Sequence, residues 1–242
     1  MGDGRGGAVA FDERDCSVQR RHQKLIEESP SPMVDENLRA RLKSAALNLT
    51  KGISYEGAGP IEFILDIASG EFFFIEMNTR IQVEHTVTEM RINRDLIGMQ
   101  LDIAGGALLE GDLEDLPGKG HAIEFRINAE NWRNGFMPSP GRPMEWRVPQ
   151  GEGIRLDTAV YRGQQISPFY DSMIAKLIVW GESREVALAR SRAVLDGCRV
   201  DGVETTIGFH RKLIDHEDFL HDPVHTRWIE TEMTLDTLGE AP

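Results

Sequence analysis

Cysteine is nearly absent from this sequence: Cys16 and Cys198 are the only two in 242 residues. Two thiols so far apart form no disulfide framework, and neither has the paired spacing of a zinc site. The usage is that of a reducing compartment. Long apolar runs are missing too, so no segment is suited to span a membrane. The opening Met1-Gly2-Asp3-Gly4-Arg5-Gly6-Gly7 has no apolar signal core. The expected location is cytoplasmic, with no membrane partner. Cations are in deficit, 27 Lys and Arg against 40 Asp and Glu, for a formal net charge of −13. Binding a nucleic-acid backbone takes clustered Lys and Arg, so nucleic acid is not expected as the main partner. The basic run Arg20-Arg21-His22-Gln23-Lys24 is either a solvated charged face or a hold for a small anion such as a nucleotide phosphate.

Apolar residues make up 40% of the chain, which supports a core, and the length suits one large domain or two modest ones. Asp3-Gly4-Arg5-Gly6-Gly7 reads as a hairpin turn with only Met1 and Gly2 before it, as if the chain began inside a fold; a glycine-rich leader is the alternative. Pro30 and Pro32 mark a loop. Asp35 is placed to cap a helix whose stripe is Leu38, Leu42, Ala45, Ala46 and Leu49, ending at Gly52. Strands are expected over 60–67 and 71–84, joined by Ala68-Ser69-Gly70, and a helix over 95–104, stopped by Gly105-Gly106. The acidic stretch 107–120 reads as a linker. Beyond it His121 to Asn128 alternates, with Ile123, Phe125 and Ile127 on one face and Glu124, Arg126 and Asn128 on the other. Short strands near 144–148, 153–157 and 173–180 follow. Helices are expected from the Ser183 cap to Gly197 and over 205–215.

The stretch from Ile75 to His85 carries the chemistry. As one extended strand it projects Glu76, Asn78, Arg80, Gln82 and Glu84 from the same side. A solvated strand face is the plain alternative. With Ile67 opposite Glu71, counting along the ladder sets Glu62 opposite Glu76. Like charges directly across a strand pair repel, and a divalent cation between them reverses that sign. Carboxylate and amide oxygens are hard ligands suited to magnesium or manganese, so Glu62, Glu76 and Asn78 read as a metal site. A slip of one residue would instead set Glu62 opposite Ile75. Farther along, Arg80 can fork onto a planar anion. Gln82 and the backbone near Val83 can complete the hydrogen bonds, and Glu84 can take the proton.

These residues resemble the biotin carboxylase family. The resemblance rests on the run from Phe74 to His85, on Glu13 to Lys24, on Gly57-Ala58-Gly59, on His121 to Glu130, on Pro138-Ser139-Pro140-Gly141 and on Tyr170-Asp171-Ser172-Met173. It covers about residues 2 to 230. It implies an α+β fold: the C-terminal part of an ATP-grasp domain (antiparallel sheet with helices) over 1–110, a biotin carboxylase C-terminal domain over 118–230, and a tail over 231–242. It implies MgATP- and bicarbonate-dependent carboxylation of carrier-bound biotin through carboxyphosphate. By this resemblance Glu62, Glu76 and Asn78 serve Mg2+ or Mn2+. Lys24, Arg80, Gln82 and Val83 hold bicarbonate, and Glu84 is the general base. Arg126 stabilises the biotin enolate. Gln19, His22 and Ile64 lie near the nucleotide, and Asp171 lies near biotin. The implied partners are a biotinylated carrier protein, a carboxyltransferase subunit and a second copy in a homodimer.

Thr86 stands where the family usually has proline, Phe125 where cysteine is common, and Arg91 to Arg94 replaces a stretch that usually contains Thr-Gly. None removes a ligand from the expected site. The family's Rossmann-like domain, its lid with a glycine-rich phosphate loop and two lysines, and its adenine hinge have no counterpart in these 242 residues. Phosphoryl positioning depends on all sides of the nucleotide clamp, so the expectation for the chain by itself is little or no turnover. The rival expectation is a catalytically silent fragment that serves as an oligomerisation or binding module. A different ATP-grasp ligase is disfavoured by the Arg80, Gln82 and Glu84 set together with the segment from His121 to Glu130. The final acyl acceptor is open, and so is the source of any missing part.

Overall fold

Asp35, Asp95 and Ser183 begin helices in the computed structural model, which describes residues 1–109 and 116–233. Asp35 accepts the Leu38 amide at 2.7 Å at the head of Glu36–Gly52. Asp95 accepts the Gly98 amide at 2.8 Å before Leu96–Ala104. Ser183 accepts the Val186 amide before Arg184–Gly197. Such caps satisfy amides that no helical carbonyl can reach, for about 1 kcal/mol each.

The chain forms two units and passes between them three times. The first comprises Met1–Arg14 and Ser29–Lys119, and the second comprises Asp15–Glu28 and the chain from Gly120 onward. Residues 15–28, inside the stretch 1–110 read as one domain from sequence, therefore fold with the second unit. Residues 110–115 of the expected linker and 234–242 of the expected tail lie outside the described residues.

In the first unit the Asp3 carboxylate organises the opening turn, accepting the amides of Arg5 and Gly7 at 2.8 and 2.9 Å. Gly2 bridges Ala8 and also pairs with Gly57. The central hairpin pairs Ile61–Asp66 with Glu71–Met77. Near the turn Asp66 faces Glu71, which makes the loop one residue longer than expected, and Phe63 faces Phe74. A register shift follows, which leaves Ile75 as the extra residue and brings Glu62 opposite Glu76. The expected strand over 71–84 is corrected: pairing stops at Met77, residues 78–84 bend, and a helix His85–Ile92 begins. Asn93 closes that helix in the left-handed conformation, φ 50°. Strand alternation therefore does not align Arg80, Gln82 and Glu84.

The second unit is built on a four-stranded sheet. Its order is Ile154–Thr158, Met173–Gly181, His121–Asn128, Ile26–Ser29. Ile123, Phe125 and Ile127 enter a core with Leu177, Val179, Leu188, Leu195 and Phe209. The alternation read from sequence holds, but Glu124 and Asn128 on the opposite face are buried as well. Residues 15–28 are tied in by charge. Glu28 receives Arg184 through Nε and Nη2 at 2.8 and 3.2 Å, and His121 Nε2 lies 2.6 Å away. Burial alone would raise the Glu28 carboxyl. The bonds from His121 and Arg184 outweigh it and hold that carboxyl below the usual range.

Candidate functional site

The hairpin and the bend after it gather polar groups that are far apart in sequence. Asn78 Nδ2 donates to Glu62 Oε1 at 3.2 Å and to Glu76 Oε1 at 3.1 Å. Gln82 Nε2 donates to the same Glu62 oxygen at 2.6 Å. On its other side Gln82 Oε1 accepts from Arg14 Nη2 at 3.2 Å. Gln82 is buried and Glu76 exposed, so the cluster runs from solvent inward. Arg14 was not singled out from sequence. It lies inside the run from Glu13 to Lys24, but nothing in its spacing points to Gln82.

Two carboxylates and an amide fit a hard divalent cation. The positive end of the Asn78 amide already bridges the two acids, as a cation between them would. Rotating that amide presents its oxygen instead. These residues would hold Mg2+ or Mn2+ and leave coordination positions for other oxygen ligands.

Arg80 is exposed, and its Nη1 donates to the Ile81 carbonyl at 3.2 Å. Val83 is half-buried and Glu84 is buried at the head of His85–Ile92. The Gln82 carbonyl lies 2.8 Å from His85 Nδ1, which anchors the bend to the first helical turn. A carboxylate at a helix N-terminus is favoured by the unpaired amides there. Ile64 is 49% exposed, as an apolar contact for a flat ligand requires.

The other expected residues lie in the second unit. Gln19–Arg20 pairs with Gln23–Lys24, setting Gln19 opposite Lys24. The basic run is thus a hairpin whose turn residues Arg21 and His22 both have positive φ, 48° and 64°. That is the twist a two-residue hairpin turn needs, taken here by residues that rarely adopt it. Arg126 is gripped at its head and its backbone. Its Nε and Nη2 reach Glu27 Oε1 at 2.6 and 2.5 Å, and Glu27 is fully buried. Its carbonyl accepts from Thr206 Oγ1 at 3.0 Å and meets His210 Nε2 at 2.8 Å. Burial lowers the His210 pKa to about 4, with the Arg126 carbonyl opposing, so near neutral pH the ring is uncharged; the carbonyl can only accept, so Nε2 donates. Glu27 and His210 were not foreseen, because their importance lies in contacts with Arg126. Asp171 is exposed and accepts the Met173 amide at 2.8 Å.

Two family models match the chain. Residues 1–111 match the carbamoyl-phosphate synthase L chain ATP-binding domain, and residues 124–231 match the biotin carboxylase C-terminal domain. Biotin carboxylase 1 of Bacillus subtilis is 48% identical over 239 residues, covering 99% of this chain and 52% of that protein. The mitochondrial methylcrotonoyl-CoA carboxylase subunit alpha of Glycine max is 45% identical over 95% of this chain and 32% of its own length. The solved biotin carboxylase domain dimer of Hydrogenobacter thermophilus 2-oxoglutarate carboxylase, in complex with MgADP, ADP and bicarbonate, superposes with a TM-score of 0.94 at 42% identity. That match covers 100% of this chain and 53% of the other. The chain thus spans about half the length of the Bacillus relative.

Proposed function

We propose, on the premise that this chain belongs to the biotin carboxylase family, that it carries the metal-, bicarbonate- and biotin-facing residues of an ATP-dependent biotin carboxylase. The observation that supports this reading is the cluster in which Asn78 bonds both Glu62 and Glu76 and Gln82 bonds the same Glu62 oxygen. Glu62, Glu76 and Asn78 hold Mg2+ or Mn2+. The bound ion neutralises phosphate charge. Arg80 turns from the Ile81 carbonyl to fork onto bicarbonate, and Gln82 and the Val83 backbone orient that anion. Glu84 takes its proton, which creates the nucleophile. Lys24 is assigned to bicarbonate, and Gln19, His22 and Ile64 to the nucleotide, by family resemblance. Arg126, fixed by Glu27, stabilises negative charge on the biotin ring.

The domain division 1–110 and 118–230 is kept as a proposal, as are a biotinylated carrier, a carboxyltransferase subunit and a second copy as partners. A cytoplasmic setting is likewise proposed. Among the described residues no helix is long and apolar enough to cross a membrane.

The test is bicarbonate-dependent ATP cleavage, measured for the chain alone and after adding the N-terminal half of a relative. Calorimetry with MgATP runs alongside. Cleavage that appears only with the added half, and that Glu84→Gln removes while the fold is kept, supports the reading. The rival is a silent binding module, and the exposed apolar hairpin favours it: Phe73 and Phe74 are each 56% exposed and Ile75 50%. No cleavage under either condition, with the hairpin still capturing the added half, decides for that rival.

A further inference from the structure

A recess of about 590 Å³ opens within the second unit. Its walls are the turn Trp132–Asn134, the segment 198–205 and the helix Ile207–Leu213. That volume suits a small-molecule ligand, for which sites run from roughly 300 to 1,000 Å³. None of the residues assigned to the proposed activity lines it.

Three guanidiniums face the recess. Arg211 and Arg199 gather at the C-terminal end of Arg184–Gly197. Arg211 Nε donates to the Leu195 carbonyl at 2.7 Å, and Arg199 Nη1 donates to the carbonyls of Asp196 and Cys198 at 2.6 and 2.7 Å. Carbonyls occupy only part of each fork, and no carboxylate among the described residues pairs with Arg199. Arg133 lies 4.5 Å over the Trp132 ring and is exposed, with no acidic partner among the described residues. The fourth donor is the Trp132 indole N–H. Trp132 is 4% exposed, and no acceptor among the described residues meets its Nε1. Gly208 makes room for that edge: a Cβ there would lie 3.0 Å from Nε1. Asp201 and Glu204 line the same recess without pairing with Arg133 or Arg199.

We propose that this recess binds a small metabolite through a phosphate or carboxylate group. Arg133, Arg199 and the Trp132 indole N–H take the anion. Hydroxyl or amino groups of the same molecule meet Asp201 and Glu204. Guanidinium forks match the planar and tetrahedral oxyanions in just this way. The recess shares no residue with the hairpin cluster and does not depend on the proposed activity.

The test follows the indole N–H resonances of the ¹⁵N-labelled chain, with that of Trp132 identified by its loss in Trp132→Phe. Inorganic phosphate and malonate are titrated separately, each against chloride at matched ionic strength. The expected result is a saturable shift of the Trp132 resonance with at least one of the two anions, and the stronger arm identifies the anionic group. Arg133→Ala combined with Arg199→Ala should raise the half-saturation concentration by about tenfold. Both side chains are exposed, so the fold is expected to tolerate their loss. A Trp132 response no larger than that to chloride, or one unchanged in the double variant, overturns the proposal.

Discussion

Glu62 and Glu76 face each other across the hairpin, and a single amide nitrogen, Asn78 Nδ2, bonds a carboxylate oxygen of each. Two like charges thus share one neutral donor. Without metal this costs stability, so Glu76→Gln should stabilise the chelator-treated chain by about 0.5 kcal/mol. With manganese added the order should invert: the wild type gains melting temperature and the variant does not. Thermal denaturation in EDTA and in MnCl2 reads both. A Glu76→Gln chain that gains as much from manganese as the wild type contradicts the metal assignment.

The facing of these two acids was legible in the sequence, although the path to it was not. Counting from Ile67 opposite Glu71 reaches the observed pair, yet the turn is one residue longer and Ile75 bulges to compensate. Phe72, Phe73, Phe74 and Ile75 are all apolar, so no alternation marks where the extra residue falls. The converse holds beyond Met77. Alternation there imitates a strand, but the chain bends and enters a helix at His85. The caps at Asp35, Asp95 and Ser183 were readable because they act over three residues. The pairing of Glu28 with His121 and Arg184 joins positions about a hundred or more apart, which no local pattern records.

The bend depends on Gln82 as a bridge between Glu62 and Arg14. Gln82→Ala removes both bonds and leaves the Glu62 oxygen with Asn78. The expected outcome is a loss of about 1–2 kcal/mol in stability, because a buried polar partner is deleted. Manganese affinity should fall as well, since the bond that positions Glu62 is gone. Urea denaturation gives the first quantity and manganese titration the second. If affinity is unchanged while stability drops, Gln82 supports the fold and not the metal cluster.

Glu27 has its charge compensated by Arg126, and its side chain is sealed from solvent, whereas that of Arg126 is 17% exposed. Removing the acid takes a buried counter-charge from that guanidinium, so Glu27→Ala should destabilise the chain by about 3 kcal/mol. Arg126→Ala takes this cation from the fully buried carboxylate, and protonation relieves that loss. Its cost should therefore shrink at acid pH, while that of Glu27→Ala should not. Urea midpoints at pH 7 and pH 5 for both variants check this. Parallel losses at both pH values count against a charge-based account of the pair.

His210 sets a pH window of its own. Its folded pKa is lowered by burial from an ordinary 6.5 to about 4. Between those values the unfolded chain binds a proton that the folded chain refuses, so stability falls as pH drops through that interval and is unaffected above it. The full effect approaches roughly 3 kcal/mol at the acid end. Glu28 acts lower down: its depressed carboxyl contributes above the ordinary carboxylate range and is lost as pH falls through its folded value. The two are separable, because of the pair only His210 acts between pH 6.5 and 5. His210→Gln removes the titration and keeps a donor for the Arg126 carbonyl. Its urea midpoint should start lower at pH 7.5 and then fall less than that of the wild type down to pH 5, the remaining decline coming from the buried Met1 amine, whose pKa is lowered to about 6. Equal slopes in the two proteins would mean that His210 is already protonated in the fold or is reached by water.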